Sequence, residues 1–285
     1  YTDKFGEGNY HCRSCGAGGG LKLAHAVRGG RFSELLDDIE SLVGSVRPAS
    51  SPGLAGPSLE RMKRLCHQTW TEAKPVVIGD EVDRYLRGRG IDQGAYPRTL
   101  RFHPALGYYE KQPGQKRSKL IASYAAMVAC VQGPDGHAVT LHRTYLKEGR
   151  KALGDQSKKL LSAGINGAAV RLDEATDELA LTEGIETALA VRLRTGKPTW
   201  AAINCGNLER IWIPEQVQRV CIYADNDSDA EFAGQASAYI LAQRLVREAK
   251  KAGVPRTVEV FVPRQAGTDW ADIWLASLAK DKRAA

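Results

Sequence analysis

The sequence predicts an α/β fold, with a parallel sheet flanked by helices in its C-terminal part, a basic α+β region before it and a partial zinc-ribbon segment at the start. Three observations carry the parallel sheet. Leu179-Ala-Leu-Thr182 and Val220-Cys-Ile-Tyr-Ala224 are apolar runs of strand length, each followed by a helix-patterned segment, as βα units read. Each run ends in carboxylates: Glu183 after the first, Asp225 and Asp227 after the second. A third run, Val258-Glu-Val-Phe-Val262, precedes Asp269 and Asp272. Open parallel sheets bind ligands beyond the carboxyl ends of their strands. Neighbouring strands lie about 4.8 Å apart, so these acids are expected to converge. Like charges held together raise one another's pKa or recruit cations, and an all-oxygen donor set favours Mg²⁺ or Mn²⁺ over zinc.

Residues 1–44 read as a partial zinc-ribbon-like segment and a helix. Tyr10-His-Cys12-Arg-Ser-Cys15-Gly puts two thiols on one tight turn, enough for two of the four tetrahedral ligands of a zinc site, with the partner knuckle expected upstream. Leu35, Leu36, Ile39, Leu42 and Val43 recur at helical spacing, with Ser33 as a candidate N-cap and Gly44 as a stop. Residues 45–58, rich in Pro, Ser and Gly, read as a flexible linker.

Residues 59–172 form the basic region. Helices are expected over 59–74, closed by Pro75, and over 80–89, with Asp80 as N-cap and Gly90 at the end. Leu100 to Tyr109 reads as a strand and turn in which His103, before a proline, is structural. Ala125–Val131 and Ala138–Leu146, joined through Gly133-Pro-Asp-Gly136, read as a β-hairpin. Alternation puts His142, Thr144 and Leu146 on one face, Arg143 and Tyr145 on the other. Arg143, Lys147, Arg150, Lys151, Lys158 and Lys159, with Tyr145 among them, make a basic run suited to phosphates and stacked bases.

Residues 173–285 hold the parallel sheet and a C-terminal tail. Strands are expected at 179–182, 199–203, 219–224 and 257–262, with helices from Gly184 and from Asp229 to Ala252. Gly184 is expected to let the backbone turn so that Glu183 projects into the crevice, and the loop at Gly206-Asn207 to offer backbone amides to a phosphate.

Charge divides along the same line. The 285 residues carry a net +7, but 84–159 hold fifteen Lys or Arg against five Asp or Glu, a balance of +10. Residues 173–231 hold five against twelve, a balance of −7. One part is suited to phosphates and the other to cations. Of six cysteines only Cys12 and Cys15 are closely spaced, so disulfides are not expected, and Cys130, Cys205 and Cys221 read as small buried residues. No apolar run approaches the roughly 20 residues that span a bilayer, no signal-peptide pattern opens the chain, and a cytoplasmic location is expected. No Gly-x-x-x-x-Gly-Lys-Ser/Thr loop occurs, which excludes a helicase motor of that type from this sequence.

The order Thr-Glu183-Gly-Ile-Glu-Thr-Ala-Leu-Ala, Ala-Asp225-Asn-Asp227 and Asp269-Trp-Ala-Asp272-Ile resembles the Toprim domain of bacterial primases, in particular the primases of phages and mobile plasmids. The resemblance implies metal-dependent synthesis of short primers on single-stranded DNA from nucleoside triphosphates, with a replicative helicase as partner. It implies that Asp225 and Asp227 hold Mg²⁺ or Mn²⁺, that Glu183 is a further ligand or the acid/base, and that Asp269 or Asp272 completes the shell. The block His142 to Leu161 resembles the basic subdomain ahead of Toprim in that family, implying substrate-binding roles for Arg143, Lys158 and Lys159. One position departs: where bacterial primases carry an aspartate four residues after the glutamate, this chain has Thr187, with Glu186 beside it. A Toprim nuclease and a non-catalytic, recombination-mediator-like DNA-binding scaffold are the alternatives that share the fold.

Overall fold

The computed structural model describes residues 9–12, 16–45, 59–110, 118–161 and 165–284, in two compact units, 1–56 and 57–285. In the first unit β1 (Asn9–Cys12) pairs antiparallel with β2 (Gly16–Gly19), Cys12 opposite Gly16, and α1 (Gly20–Arg28) and α2 (Phe32–Ser45) follow. The candidate ligand Cys15 and the side chain of Cys12 lie outside the described residues, as does the linker 46–58. Helix α2 begins one residue before Ser33 and runs through Gly44, so neither residue ends it as the sequence suggested. A single helical glycine costs only about 1 kcal/mol, which neighbouring residues can carry.

The second unit opens with α3 (Leu59–Glu72), β3 (Lys74–Pro75) and α4 (Glu81–Gly88). Asp80 caps α4 as expected, its carboxylate accepting the Asp83 N–H at 2.8 Å. An antiparallel sheet follows in the order β3, β4 (Leu100–Glu110), β5 (Lys119–Gln132), β6 (Ala138–Lys147), β7 (Arg150–Lys151), with β8 (Lys158–Leu160) also on β6. Strand β4 runs on where a turn was expected, absorbing Pro104 in a register shift between His103 and Leu106. His103 is structural there: it is buried, 3.3 Å from Glu72, and its Nδ1 accepts the Ala105 N–H.

The parallel part comprises β9 (Val170–Arg171), β10 (Glu178–Thr182), α5 (Ile185–Thr195), β11 (Thr199–Ala201), α6 (Cys205–Leu208), β12 (Arg219–Tyr223), α7 (Ala233–Ala252), β13 (Thr257–Phe261) and α8 (Trp270–Ala284). Its order is β13-β12-β10-β11-β9, parallel throughout except for the edge strand β9. Two expectations shift. The loop at 204–208 closes into α6, capped by the Asn204 side chain, and α7 starts at Ala233 because Glu231 and Phe232 take left-handed φ values of 62° and 59°.

One face of the antiparallel sheet has a core of its own, the parallel sheet has another, and a third cluster bridges the boundary at 172/173. One buried cluster joins Val82, Tyr85 and Leu86 of α4, Met127 and Ala129 of β5 and Leu146 of β6 to Ile185 and Leu189 of α5. The other face of the antiparallel sheet buries Tyr108, Val128, Leu141 and Tyr145 against α3. Alternate residues of the antiparallel sheet thus fill two faces, one of which packs against α5. No helix among the described residues is long and apolar enough to cross a membrane.

Candidate active site

Strand β10 leads through α5 to β11 on one side, while β12 joins β10 on the other, so connections leave the sheet in opposite directions between β10 and β12. A crevice opens at such a switch point, beyond the strand ends. Thr182 pairs with Tyr223, so Glu183 and Asp225 emerge within a residue of the same level.

Glu183 is held from the β11–α6 loop. The Ile203 N–H donates to its carbonyl at 2.8 Å, and the Cys205 thiol donates to Oε2 at 2.7 Å. Ile203 makes that contact at φ 79°, a region β-branched residues rarely adopt. Burial raises the Glu183 pKa, Cys205 opposes the rise, and Asp227 adds to it. Gly184 sits at φ −87°, extended backbone open to any residue, and precedes the first turn of α5. It is not the special turn the sequence suggested.

Asp225 is the most perturbed of the acids. Burial, followed by the charges of Glu183, Asp269 and Asp227, pushes its pKa up to about 8. Its Oδ1 is buried and unpartnered. Asp227 accepts the Gly234 N–H at 2.8 Å through Oδ2, at the start of α7. A Cβ at Gly234 would stand 2.8 Å from that oxygen and 2.9 Å from the Asp225 carbonyl, so the approach of α7 to the acids requires glycine. Asn226 braces the loop between them, donating to Pro263 O and accepting from Gln235 and Ser228.

Asp269 precedes α8 and caps it, accepting the Asp272 N–H at 2.8 Å, while its second oxygen accepts the Thr187 hydroxyl at 3.1 Å. Asp272 returns the cap by accepting the Asp269 N–H and lies exposed, 3.8 Å from Arg89. Asp269, not Asp272, is therefore the acid that acts on Asp225. Glu183, Asp225, Asp227 and Asp269 supply only oxygen donors. Among the described residues no three His, Cys, Asp or Glu side chains already form a metal-holding group.

The three basic candidates divide. Lys158 Nζ donates to Glu186 Oε2 at 3.0 Å, and its charge reaches Glu183 and Asp225. Arg143 and Lys159 lie on the opposite sheet face, with Arg143 bonded to Leu160 O and over Tyr145, and Lys159 bonded to Tyr109 O and over Tyr108. Glu186, on the first turn of α5, is buried. Burial works against its charge, but Lys158 and the Tyr85 hydroxyl outweigh this and hold its pKa at about 2. His142, buried beside them, is pushed down to about 4 by desolvation and stays neutral near pH 7.

Asn207, a candidate for phosphate contact, is buried instead. Its side chain accepts from Gly167 N and donates to Ala168 O and Ala202 O, closing the β11–α6 corner. Two contributors escaped the sequence reading. Cys205, taken as a small buried residue, follows a strand end of the parallel sheet, a position that could have flagged it. Tyr85 reaches Glu186 from 101 residues away, and no local signal marks it.

Residues 178–280 match the family model described as Toprim domain, and residues 60–172 match the model described as Domain of unknown function (DUF7146). The chain thus carries a Toprim domain, preceded by a region that matches a domain of unknown function. No curated protein sequence matches the chain. Among solved structures it is similar to a DNA primase domain from Pseudomonas aeruginosa, at 13% identity and TM-score 0.50, over 78% of this chain and 77% of that one. It is also similar to a DnaG primase catalytic domain bound to ssDNA, at 12% identity and TM-score 0.50, over 79% of each chain. The fold is that of bacterial primase catalytic cores.

Proposed function

We propose that this protein is a DNA primase, a nucleotidyltransferase that makes short primers on single-stranded DNA from nucleoside triphosphates. The observation that carries the reading is Asp225: a carboxylate with a buried, unpartnered oxygen, crowded by Glu183, Asp227 and Asp269 at the switch point of a Toprim sheet. An arrangement that keeps like charges together without a counter-ion suits a hard divalent cation, and the donors fit Mg²⁺ or Mn²⁺ by type. Asp225 and Asp227 would hold it, with Glu183 and Asp269 as further donors. Bound there, such a cation supplies Lewis-acid polarisation of a phosphoryl oxygen and acidifies an attacking hydroxyl.

The chain's own groups do the rest. Glu183, with its raised pKa, suits the uptake of the proton from the primer 3′-hydroxyl. Lys158 offers its ammonium to the triphosphate, and exposed Lys147 and Arg150 offer their positive charges to the template backbone. Arg143 and Lys159 stand on the far face, where they would meet the template strand. The unpaired buried carboxylate supports this assignment over a scaffold, which has no need of one. Zinc on Cys12 and Cys15 with an upstream knuckle would serve template choice, and a replicative helicase would supply the template.

The test incubates the protein with mixed-sequence single-stranded DNA, labelled ribo- and deoxyribonucleotides and Mg²⁺ or Mn²⁺, and resolves products by length. New short oligonucleotides that disappear in Asp225→Ala establish a primase. Shortened template without synthesis makes the protein a Toprim nuclease, and salt-sensitive binding with neither product makes it a scaffold.

A further inference from the structure

Glu186 has no part in the chemistry just described, although its place on the first turn of α5, three residues after Glu183, would suit a cation ligand. Both of its oxygens are taken. Oε1 accepts the Tyr85 hydroxyl at 2.7 Å and Oε2 accepts Lys158 Nζ at 3.0 Å, and the residue is 4% exposed. Tyr85, itself 3% exposed, approaches from α4, and Lys158 from β8. The Lys158 side chain keeps 36% of its surface open, and one of its three N–H donors is engaged by Glu186.

A lysine ammonium sits on a flexible four-carbon stem, so fixing it requires a partner that is itself fixed. The Glu186 carboxylate is fixed by Tyr85 from behind and by its place on α5. We infer that Glu186 is a positioning residue and not a cation ligand: with Tyr85 it clamps the Lys158 ammonium at the mouth of the acid crevice, leaving two N–H donors for the phosphates of an incoming nucleoside triphosphate. What Lys158 binds rests on the nucleotidyl-transfer reading; the clamp itself does not. The clamp also accounts for Thr187, which leaves the adjacent position to brace Asp269 instead of supplying another carboxylate.

Three measurements on the same variants test this. Lys158 reactivity toward a small acylating reagent is read by mass spectrometry, with exposed Lys147 as internal standard. Mn²⁺ binding is read by electron paramagnetic resonance, and ATP affinity by equilibrium dialysis. In Glu186→Gln, Lys158 should acylate several-fold faster, Mn²⁺ affinity should be unchanged, and ATP affinity should fall on the order of tenfold, the loss expected of a charge-assisted hydrogen bond. Lys158→Met should lose as much ATP affinity, and the double variant should lose no more than either alone, because both remove one device. Tyr85→Phe should raise Lys158 reactivity by a smaller factor, and it carries the reactivity test if Glu186→Gln does not fold. Weakened Mn²⁺ binding in Glu186→Gln with Lys158 reactivity unchanged would make Glu186 a ligand and overturn the clamp. So would ATP losses that add in the double variant. A wild-type protein that binds neither ATP nor Mn²⁺ sinks the primase reading instead, and the acylation rates then decide the clamp separately.

Discussion

Raising the pH of the cation-free protein should destabilise it through Asp225, and the sign follows from linkage. An aspartate whose folded pKa is raised to about 8 from an ordinary 3.8 keeps its proton in the folded chain while the unfolded chain has lost it. Folded protein thus binds more protons throughout that window, and stability falls as pH climbs toward 8. At about 1.4 kcal/mol per pH unit, tapering as Asp225 becomes half-ionised near pH 8, the step from pH 6 to pH 8 costs about 2 kcal/mol, and water entering the open crevice reduces this to roughly 1 kcal/mol. Chelator-treated protein unfolded in urea at pH 6, 7 and 8 should lose that stability progressively, and Asp225→Asn should flatten the slope and exceed wild type at pH 8. Saturating Mg²⁺ or Mn²⁺ should restore about 2–3 kcal/mol to wild type at a hundredfold excess over Kd and little to the variant. Equal slopes in wild type and Asp225→Asn would refute the claim that an uncompensated carboxylate stands in the crevice.

Gly234→Ala should cost about 2 kcal/mol and abolish Mn²⁺ binding, because the new methyl meets Asp227 and the Asp225 backbone; denaturant midpoints and metal titration report the two effects. Asn207→Ala should destabilise by about 3 kcal/mol in urea by leaving one buried N–H and two carbonyls without partners, while cation binding by the folded fraction survives. Cys205→Ala should move the basic form of Glu183 to higher pH, and with it the acid limb of the activity profile, whereas Cys205→Ser keeps a donor and the original limb. Burial, reinforced by Glu183, pushes the Cys205 thiol up to about 12, so iodoacetamide should label it slowly at pH 8, as read by mass spectrometry.

The parallel sheet was legible because its central strands β10 and β12 are buried on both faces and therefore read as unbroken apolar runs, and because acids stand at the strand ends. Alternation along β6 was legible too: Leu146 enters the core shared with α5, and Tyr145 the opposite one. Which of those faces looks toward the acids was not, since it depends on how the sheet docks on α5. Lys158 and Lys159 illustrate the limit. Adjacent residues on a strand point to opposite faces, so only one could reach the crevice, but nothing in the sequence showed β8 to be a strand. Cys205 and Asn207 were misjudged because the turn that carries them closes into a capped helix, and its cap, Asn204, reads in isolation as a loop residue.

The electrostatics of the second unit divide its acids into those matched at short range and those left unmatched. Asp173 has Arg192 at 2.8 Å, Glu81 has Arg84, and Glu186 has Lys158. A chain built only for stability would treat Asp225 likewise, with a cation or an amide, because a buried polar atom without a partner costs about 1–3 kcal/mol. Here the nearest ammonium is turned to Glu186 instead, and α7 is brought so close at Gly234 that no larger side chain could enter to fill the gap. Ile203 adds a strained backbone at the same crevice to hold Glu183 in place. Three departures from locally favourable structure converge on one site, and such departures persist where function requires them. A buried carboxylate oxygen without a donor, crowded by like charges and held by strained backbone, has the chemistry of a cation ligand, which is the role proposed for Asp225.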